Sequence, residues 1–179
     1  MRILSDLTNR AAAFAALFAE TFTASEGPEE GALIGGLAAD LMTETRAEDL
    51  RAFAAAQEDA LIGGVIFTRI VFAEDDRPAF ILAPLAVAPD RQRQGVGGAL
   101  IAHGLAALRD EGVAVALVYG DPNYYTRAGF APASAEVAPP PRALAYPQGW
   151  MARSLTDAAL TPLQGPSRCV AALQKPAYW

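Results

Sequence analysis

The sequence predicts an α/β fold in which a mixed, mostly antiparallel sheet is flanked by helices. Three observations lead to this fold class. Apolar residues recur at helical spacing near the N-terminus, the middle of the chain alternates strand-like runs with tight turns, and a glycine-rich segment then joins a buried strand to an amphipathic helix. The composition, with 53% hydrophobic and 19% charged residues among 179, is typical of one folded domain.

Two helices are predicted in the first part of the chain. Asn9–Thr23 places its phenylalanines and leucines on one helical face, and Gly31–Met42 repeats the pattern as a second, short helix. The segment "TASEGPEEG" between them is polar and contains a Gly-Pro pair, so we expect it to form a loop.

The period then changes to that of strands. "LRAFAAAQEDALIGGVIFTRIVF" reads as two strands joined by a tight turn at residues 57–59, "AEDDRP" as a second turn, and "AFILAPLAV" as a third, central strand. A helix from Gly95 to Arg109 leads to the buried strand "VAVALVY". This strand–helix–strand order predicts that Leu82–Val87 and Val113–Tyr119 are parallel neighbours with a right-handed crossover.

Pro84 interrupts the expected third strand. Proline cannot donate a hydrogen bond to a strand ladder, so this strand should be broken or splayed from its neighbour, which would open a cleft at the C-terminal ends of the two parallel strands. Residues 131–179 contain a Pro-Pro-Pro run and short apolar stretches, which we expect to form strands and loops that complete a single domain over residues 1–179.

Composition also argues against several functions. A net charge of -6 disfavours a nucleic-acid surface, and one cysteine with one histidine allows neither a disulfide nor a common zinc motif, so no metal is expected. His103 is expected to be a half-exposed helix residue and Cys169 a core residue. The N-terminus shows no signal peptide or membrane span, which predicts a cytoplasmic protein that does not bind membranes.

The glycine-rich segment fits neither common nucleotide-binding pattern. It lacks the lysine of the Walker motif, and Leu100 stands where the dinucleotide fingerprint needs its third glycine. The pattern that remains, Gln92-x-x-Gly95-x-Gly97, lies between a buried strand and a helix N-terminus. Its backbone N–H groups and the helix dipole suit a pyrophosphate, with Arg91 and Arg93 beside it. The alternative is that the glycines only permit close helix packing.

The stretch "LAVAPDRQRQGVGGALI" resembles motif A of the GNAT acetyltransferase superfamily. "GDPNYYTRAGF" is similar to the second signature of that superfamily, with Tyr125 four residues ahead of Gly129-Phe130. Its "GDPxYY" form resembles a bacterial branch whose acceptors are largely undefined. The resemblance implies a GNAT-like fold and acetyl-CoA, or another short acyl-CoA, as the acyl donor.

The resemblance and the residues together predict a site. A pantetheine arm would pair with the strand backbone, and a pyrophosphate would rest on the amides that follow it; Asn123 would hydrogen-bond the arm. The predicted cofactor-binding residues are Leu85, Ala86, Val87, Arg91, Gln92, Arg93, Gln94, Gly95, Val96, Gly97, Gly98, Ala99, Asn123 and Tyr124.

Three residues are predicted to assist the chemistry. The backbone N–H of Val87 would stabilise the oxyanion, and by family analogy Tyr125 would protonate the leaving thiolate, with Tyr124 as its rival. Glu30, in the loop before the second helix, is the candidate base. The alternatives are that this acidic loop is merely solvated and that water takes the proton from the amine.

The expected function is direct acetyl transfer from acetyl-CoA to a primary amine, either a small molecule or a protein amino group, by a monomer or homodimer. A non-catalytic acyl-CoA-binding module is the alternative. A third possibility is a ligand other than a CoA ester. Trp150 and Trp179 are candidates for an acceptor pocket, although aromatic residues in such a tail are more often core.

Overall fold

The computed structural model describes residues 1–179 and contains four α-helices and eight strands. The helices are α1 (Ala11–Glu26), α2 (Pro28–Glu44), α3 (Val96–Asp110) and the short α4 (Pro122–Tyr125). The strands are β1 (Arg2–Leu4), β2 (Leu50–Gln57), β3 (Ala60–Phe72), β4 (Asp75–Val87), β5 (Val115–Tyr119), β6 (Ala131–Pro132), β7 (Trp150–Ser154) and β8 (Ser167–Cys169).

The strands form one mixed sheet in the order β1-β2-β3-β4-β5-β7-β6, and β8 pairs with β3. The β4–β5 pair is parallel, whereas β1–β2, β3–β8, β5–β7 and β6–β7 are antiparallel. This confirms the predicted fold class, a mostly antiparallel sheet with one parallel pair and flanking helices.

The register of the parallel pair corrects one prediction. Ala79–Leu82 pairs with Val115–Val118, so the paired part of β4 overlaps the segment Leu82–Val87, which we expected to pair, at Leu82 alone. Strand β4 runs unbroken through Pro84, because proline adopts an extended conformation and loses only the N–H donor. Of the two expected consequences of Pro84, the break is therefore wrong, and the ladder to β5 ends at Leu82 instead.

The acidic segment between the first two helices is not a loop. Helix α1 continues to Glu26, Gly27 alone links the helices with φ 100°, and α2 begins at Pro28. Proline suits the first turn of a helix because its missing N–H would have no intrahelical partner. Glu29 and Glu30 occupy the same turn, where negative charge complements the helix dipole.

One whole strand and the start of another also differ from prediction. Strand β1 was not predicted, because three residues are too few to show a period of two. Strand β4 begins at Asp75, inside the predicted turn "AEDDRP". There the Asp75 carboxylate accepts hydrogen bonds from the Arg77 side chain and from the Gln164 backbone N–H, so polar residues extend the strand.

The chain forms two compact units. The first unit comprises Met1–Phe67 and Pro84–Gly104. Its core contains Phe14 and Phe18 of α1, whose rings meet edge to face at a centroid distance of 5.1 Å. Both rings also lie so near Gly64 that a side chain at this position would collide with them.

The second unit comprises Thr68–Ala83 and Leu105–Trp179. Its core is built around the fully buried Trp150, whose indole N–H donates to the Ala138 carbonyl over 2.8 Å. The expectation of a single domain over the whole chain stays a prediction.

No helix combines the length and the apolar character that crossing a bilayer requires.

Candidate functional site

Residues 88–95, which we call the glycine loop, connect β4 to α3. Two glutamine side chains hold this loop in place: Gln92 donates to the Val87 carbonyl over 3.1 Å and Gln94 donates to the Asp90 carbonyl over 3.0 Å. Arg93 and Gly95 adopt left-handed backbone conformations, with φ 59° and 84°. A non-glycine residue rarely adopts this conformation, and such strain is common at functional sites.

The end of β4 presents backbone groups away from β3. Ala88 donates its N–H to the Ile62 carbonyl, and backbone groups alternate sides along a strand. The groups of Ala86 therefore also face β3, whereas those of Leu85 and Val87 face the opposite side. Because Gln92 already occupies the Val87 carbonyl, the N–H of Val87 is the donor that this strand end offers.

The N-terminus of α3 offers further donors. The first intrahelical bond in this region runs from Ala99 N–H to the Gly95 carbonyl, so the N–H groups of Val96, Gly97 and Gly98 precede the hydrogen-bonded ladder. A Cβ atom on Gly95 or Gly98 would meet nothing within 4 Å, which leaves the approach to these amides open. The arrangement matches the general anion-binding geometry of a helix N-terminus.

Close packing fixes the position of this helix end. A Cβ atom on Gly63 of β3 would lie 2.9 Å from Val96 and 3.0 Å from Leu100, both on the first turns of α3. Gly63 thus allows α3 to pack directly against the backbone of β3, and Val96 and Leu100 are buried there. Glycine thus serves packing at Gly63, whereas the positions of Gly95 and Gly98 leave open space.

Residues 120–130, which we call the tyrosine turn, follow β5. Asp121 caps α4 by accepting from the Asn123 backbone N–H over 2.9 Å, and Pro122 occupies the first helical position. Gly129 ends the turn with φ 78°, and its N–H donates to the Thr126 carbonyl. Aspartate is favoured at a helix N-cap, proline at the first helical position and glycine at a positive φ, so the sequence suits this backbone at all three positions.

Tyr125 is packed on three sides. A Cβ atom on Gly120 would lie only 2.5 Å from Cε2 of Tyr125, so the ring rests on the glycine backbone. The rings of Tyr124 and Phe130 meet it edge to face at centroid distances of 5.1 and 6.0 Å. The hydroxyl groups of Tyr124 and Tyr125 have no hydrogen-bond partner within the protein, so both are available to a ligand.

The two tyrosines differ in exposure and in acidity. Tyr124 is 38% exposed, and burial raises the pKa of its phenol while the charge of Arg127 opposes this shift. Burial also raises the pKa of Tyr125, and Tyr124 and Asp121 raise it further. Tyr125 therefore stays protonated throughout the neutral range and can act as a proton donor there.

Glu30 is not in a loop, contrary to expectation. It lies in the first turn of α2 and is partly buried, with no hydrogen-bond partner. Gly31, the next residue, packs tightly against Thr23 of α1, which fixes the helix at this point. The structure thus gives Glu30 a rigid position near a helix N-terminus, and its role as a base stays a prediction.

The remaining candidates are structural or stay predictions. Cys169 is buried, as predicted, and burial raises the pKa of its thiol to about 12. His103 is exposed on α3, where its ring meets Phe53 edge to face. Trp150 belongs to the core, whereas Trp179 lines a pocket of about 70 Å³ together with Cys169 and Arg142.

Sequence reasoning missed two residues around Tyr125. Gly120 lies within the signature, and its lack of a side chain is what admits the ring. Arg153 lies on β7 and donates to the Ala128 carbonyl within the tyrosine turn. No local pattern could reveal Arg153, because only strand pairing brings it to the turn.

Comparison with known proteins identifies the family of the chain. Residues 11–130 match the family described as "Acetyltransferase (GNAT) family". The uncharacterized N-acetyltransferase YjhQ of Escherichia coli (strain K12) is 39% identical over 138 residues, which cover 74% of this chain and 76% of that protein. The chain therefore belongs to the GNAT acetyltransferase family, and it is an acyltransferase.

Solved structures support the fold. The GNAT family N-acetyltransferase YhbS from Escherichia coli, crystallised in complex with CoA, has a TM-score of 0.80 and 24% identity, with 97% of this chain and 92% of that chain covered. A GNAT family acetyltransferase from Brucella melitensis in complex with acetyl-CoA has a TM-score of 0.73 and 24% identity, with 97% of both chains covered.

Proposed function

We propose that the protein transfers an acetyl group from acetyl-CoA directly to a primary amine. The observation that carries this proposal is the Tyr125 hydroxyl, which is fixed by packing on three sides and has no partner within the protein. A protein that only bound acyl-CoA would need no proton donor of this kind. The relatives crystallised with CoA and acetyl-CoA support the choice of donor.

In this proposal the glycine loop and the start of α3 bind the pyrophosphate of acetyl-CoA. The N–H groups of Val96, Gly97 and Gly98 donate to the phosphate oxygens, and the helix dipole contributes about 0.3–1 kcal/mol. Arg91 and Arg93 add positive charge. The backbone of Leu85, which faces away from β3, pairs with an amide of the pantetheine arm, and the N–H of Val87 is left for the thioester carbonyl.

The transfer itself needs three groups. The amine nitrogen forms a bond to the thioester carbonyl carbon, and the N–H of Val87 stabilises the negative charge on the carbonyl oxygen. The carbon–sulfur bond then breaks, and Tyr125 gives its proton to the departing thiolate. The amine loses one proton to water or to Glu30, so the sulfur gains a proton and the nitrogen loses one.

Direct transfer is favoured over an acetylated enzyme intermediate. The single thiol, Cys169, is buried, and the pKa of about 12 keeps it protonated near neutral pH, so it is a poor nucleophile. The single histidine, His103, points from an exposed face of α3 and has an aromatic neighbour rather than a carboxylate. Neither residue has the partners of an activated nucleophile.

The acceptor is proposed to arrive as an ammonium ion, which releases one proton to solvent to become the nucleophilic amine, before the transfer in which the nitrogen loses its second proton. The net charge of -6 attracts an ammonium group, whether it belongs to a small molecule or to a protein. The charge does not select between these two sources, and a panel that contains both kinds of amine separates them.

Release of free CoA tests the proposal. The purified protein is mixed with acetyl-CoA and a panel of primary amines and amino-terminal peptides, and the new thiol is detected. Each active amine is then replaced by its trimethylammonium analogue, which cannot accept an acetyl group. We expect release with at least one primary amine and none with its analogue.

A second readout separates the possible mechanisms. The protein is incubated with radiolabelled acetyl-CoA without an amine, and we expect no label on the precipitated protein. Labelled protein would contradict direct transfer. Binding of acetyl-CoA without CoA release from any amine would instead indicate the non-catalytic module, and no binding would contradict the choice of donor.

A further inference from the structure

Arg153, which is distant in sequence, contacts the last residues of the tyrosine turn. The Tyr125 carbonyl accepts from the Phe130 N–H over 3.3 Å, which closes the turn beneath the tyrosine. Phe130 is buried and its ring packs against that of Tyr125. The position of the Tyr125 ring therefore depends on the backbone between residues 126 and 130.

Arg153 contacts this backbone from β7. Its Nη1 donates to the Ala128 carbonyl, one of the carbonyls that a short helix leaves without a partner at its C-terminal end. The guanidinium also lies against Gly129, where a Cβ atom would be 3.2–3.3 Å from three of its atoms. The Arg153 side chain thus donates a hydrogen bond to the Ala128 carbonyl and packs against Gly129, which has a left-handed backbone conformation.

The sheet fixes the other end of this contact. Arg153 pairs with Ala116 in the β5–β7 ladder, and its neighbour Ala152 pairs with Ala131, which directly follows the turn. Strand β5 also leads into the turn through Gly120. Arg153 therefore links the C-terminal end of the tyrosine turn to β5 and β7, and β5 leads into the N-terminal end of the turn.

We infer that Arg153 is a positioning residue for Tyr125: it holds the turn so that the phenol ring stays on Gly120 and presents its hydroxyl. This inference rests on the proposed role of Tyr125 as the proton donor. Arg153 acts through the backbone at Ala128 and Gly129 and contacts no reacting atom.

A double-mutant cycle tests the inference. Arg153→Met removes the donor but keeps an aliphatic side chain, Arg153→Lys keeps a donor without the planar group, and Tyr125→Phe removes only the hydroxyl. We expect Arg153→Met to lower kcat about tenfold with the acetyl-CoA Kd within twofold, and Arg153→Lys to fall between it and the parent. In the Tyr125→Phe background, Arg153→Met should cost no more than twofold, because its effect passes through the missing hydroxyl.

A readout without activity keeps the test valid if Arg153→Met weakens the fold or if Tyr125 is not the acid. Phenolate absorbance is followed as pH rises. We expect Arg153→Met to let one tyrosine ionise at lower pH, and we expect this difference to vanish in the Tyr125→Phe background. The control is Arg109→Met, which removes an exposed arginine paired with Asp157 and should change neither readout.

The outcomes separate the two claims. A tenfold loss from Arg153→Met that persists in the Tyr125→Phe background, or an unchanged tyrosine titration, would overturn the positioning role. Full kcat in Tyr125→Phe alone would instead overturn Tyr125 as the acid, and the titration would still show whether Arg153 positions the ring.

Discussion

The glycine loop and the tyrosine turn are held in place in different ways. Two glutamine side chains hold the loop, and open space lies beside Gly95 at its end and Gly98 in the first turn of α3. The turn is closed by a capping carboxylate, three aromatic rings and an arginine. The loop therefore keeps backbone donors accessible, whereas the turn fixes one hydroxyl. We expect the loop to determine the affinity for acetyl-CoA and the turn to determine the rate of transfer.

Among the substitutions that leave the Tyr125 hydroxyl in place, the largest effect is expected from a methyl group placed under the tyrosine ring. In Gly120→Ala the new Cβ would lie 2.5 Å from Tyr125, so the ring must move. We expect kcat to fall by about 10- to 100-fold, because a misplaced general acid loses most of its contribution. The acetyl-CoA Kd, measured by calorimetry, should stay within twofold. A kcat equal to that of the parent would contradict the packing argument.

A smaller effect, on the affinity for acetyl-CoA, is expected at the start of α3. Gly98→Ala places a methyl group in open space on one of the residues whose amides we assign to the pyrophosphate. We expect the acetyl-CoA Kd to rise about tenfold, which corresponds to about 1.4 kcal/mol. The free energy of unfolding should increase by roughly 0.5–1 kcal/mol, because alanine is the better helix former.

Gly36→Ala is the matched control for that variant. Gly36 lies inside α2, and a Cβ atom there also meets nothing within 4 Å. It should gain the same stability and leave the Kd unchanged. Equal Kd values for the two variants would remove the start of α3 from the binding site.

The smallest effect is expected from a change outside both regions. Arg77 is the main cause that lowers the pKa of Asp75 to about 2. A carboxyl with a depressed pKa stabilises the folded state above its unfolded pKa near 3.8 and loses that contribution as pH falls toward 2. Asp75→Asn should cost on the order of 1 kcal/mol at pH 7, since solvent screens the partly exposed Arg77.

The pH dependence of unfolding checks this prediction. The difference in unfolding free energy between parent and Asp75→Asn should be constant from neutral pH down to about 4 and shrink between 4 and 2. Both kcat and the acetyl-CoA Kd should match those of the parent. A difference that stays constant down to pH 2 would contradict the depressed pKa.

The sequence revealed the parts of the site that local chemistry determines. The glycine loop and the tyrosine turn each need particular residues over a short stretch, such as Gly129 for a left-handed turn, so their positions could be predicted. The start of α2 also has a local signal, because Pro28 and the two glutamates after it are typical of a helix start. The polar composition of the segment led us to expect a loop instead.

Other parts depend on pairing between distant segments. The register of β4 with β5 is shifted toward Ala79 because it is set by the whole sheet, and Pro84 alone did not show where the ladder ends. Arg153 reaches the tyrosine turn only through the β5–β7 and β6–β7 ladders. The three residues of β1 gain their partners from β2 and have too little pattern of their own.

The most direct test of the division between binding and chemistry is Tyr125→Phe, with kcat and the acetyl-CoA Kd measured on the same preparation. The substitution removes one hydroxyl and keeps the ring on Gly120, and Tyr124→Phe is the matched control. We predict that kcat falls by about 100-fold or more in Tyr125→Phe while the Kd stays within twofold, and that Tyr124→Phe keeps most of its activity. An unchanged kcat in Tyr125→Phe, or a loss that appears in the Kd alone, would contradict the account.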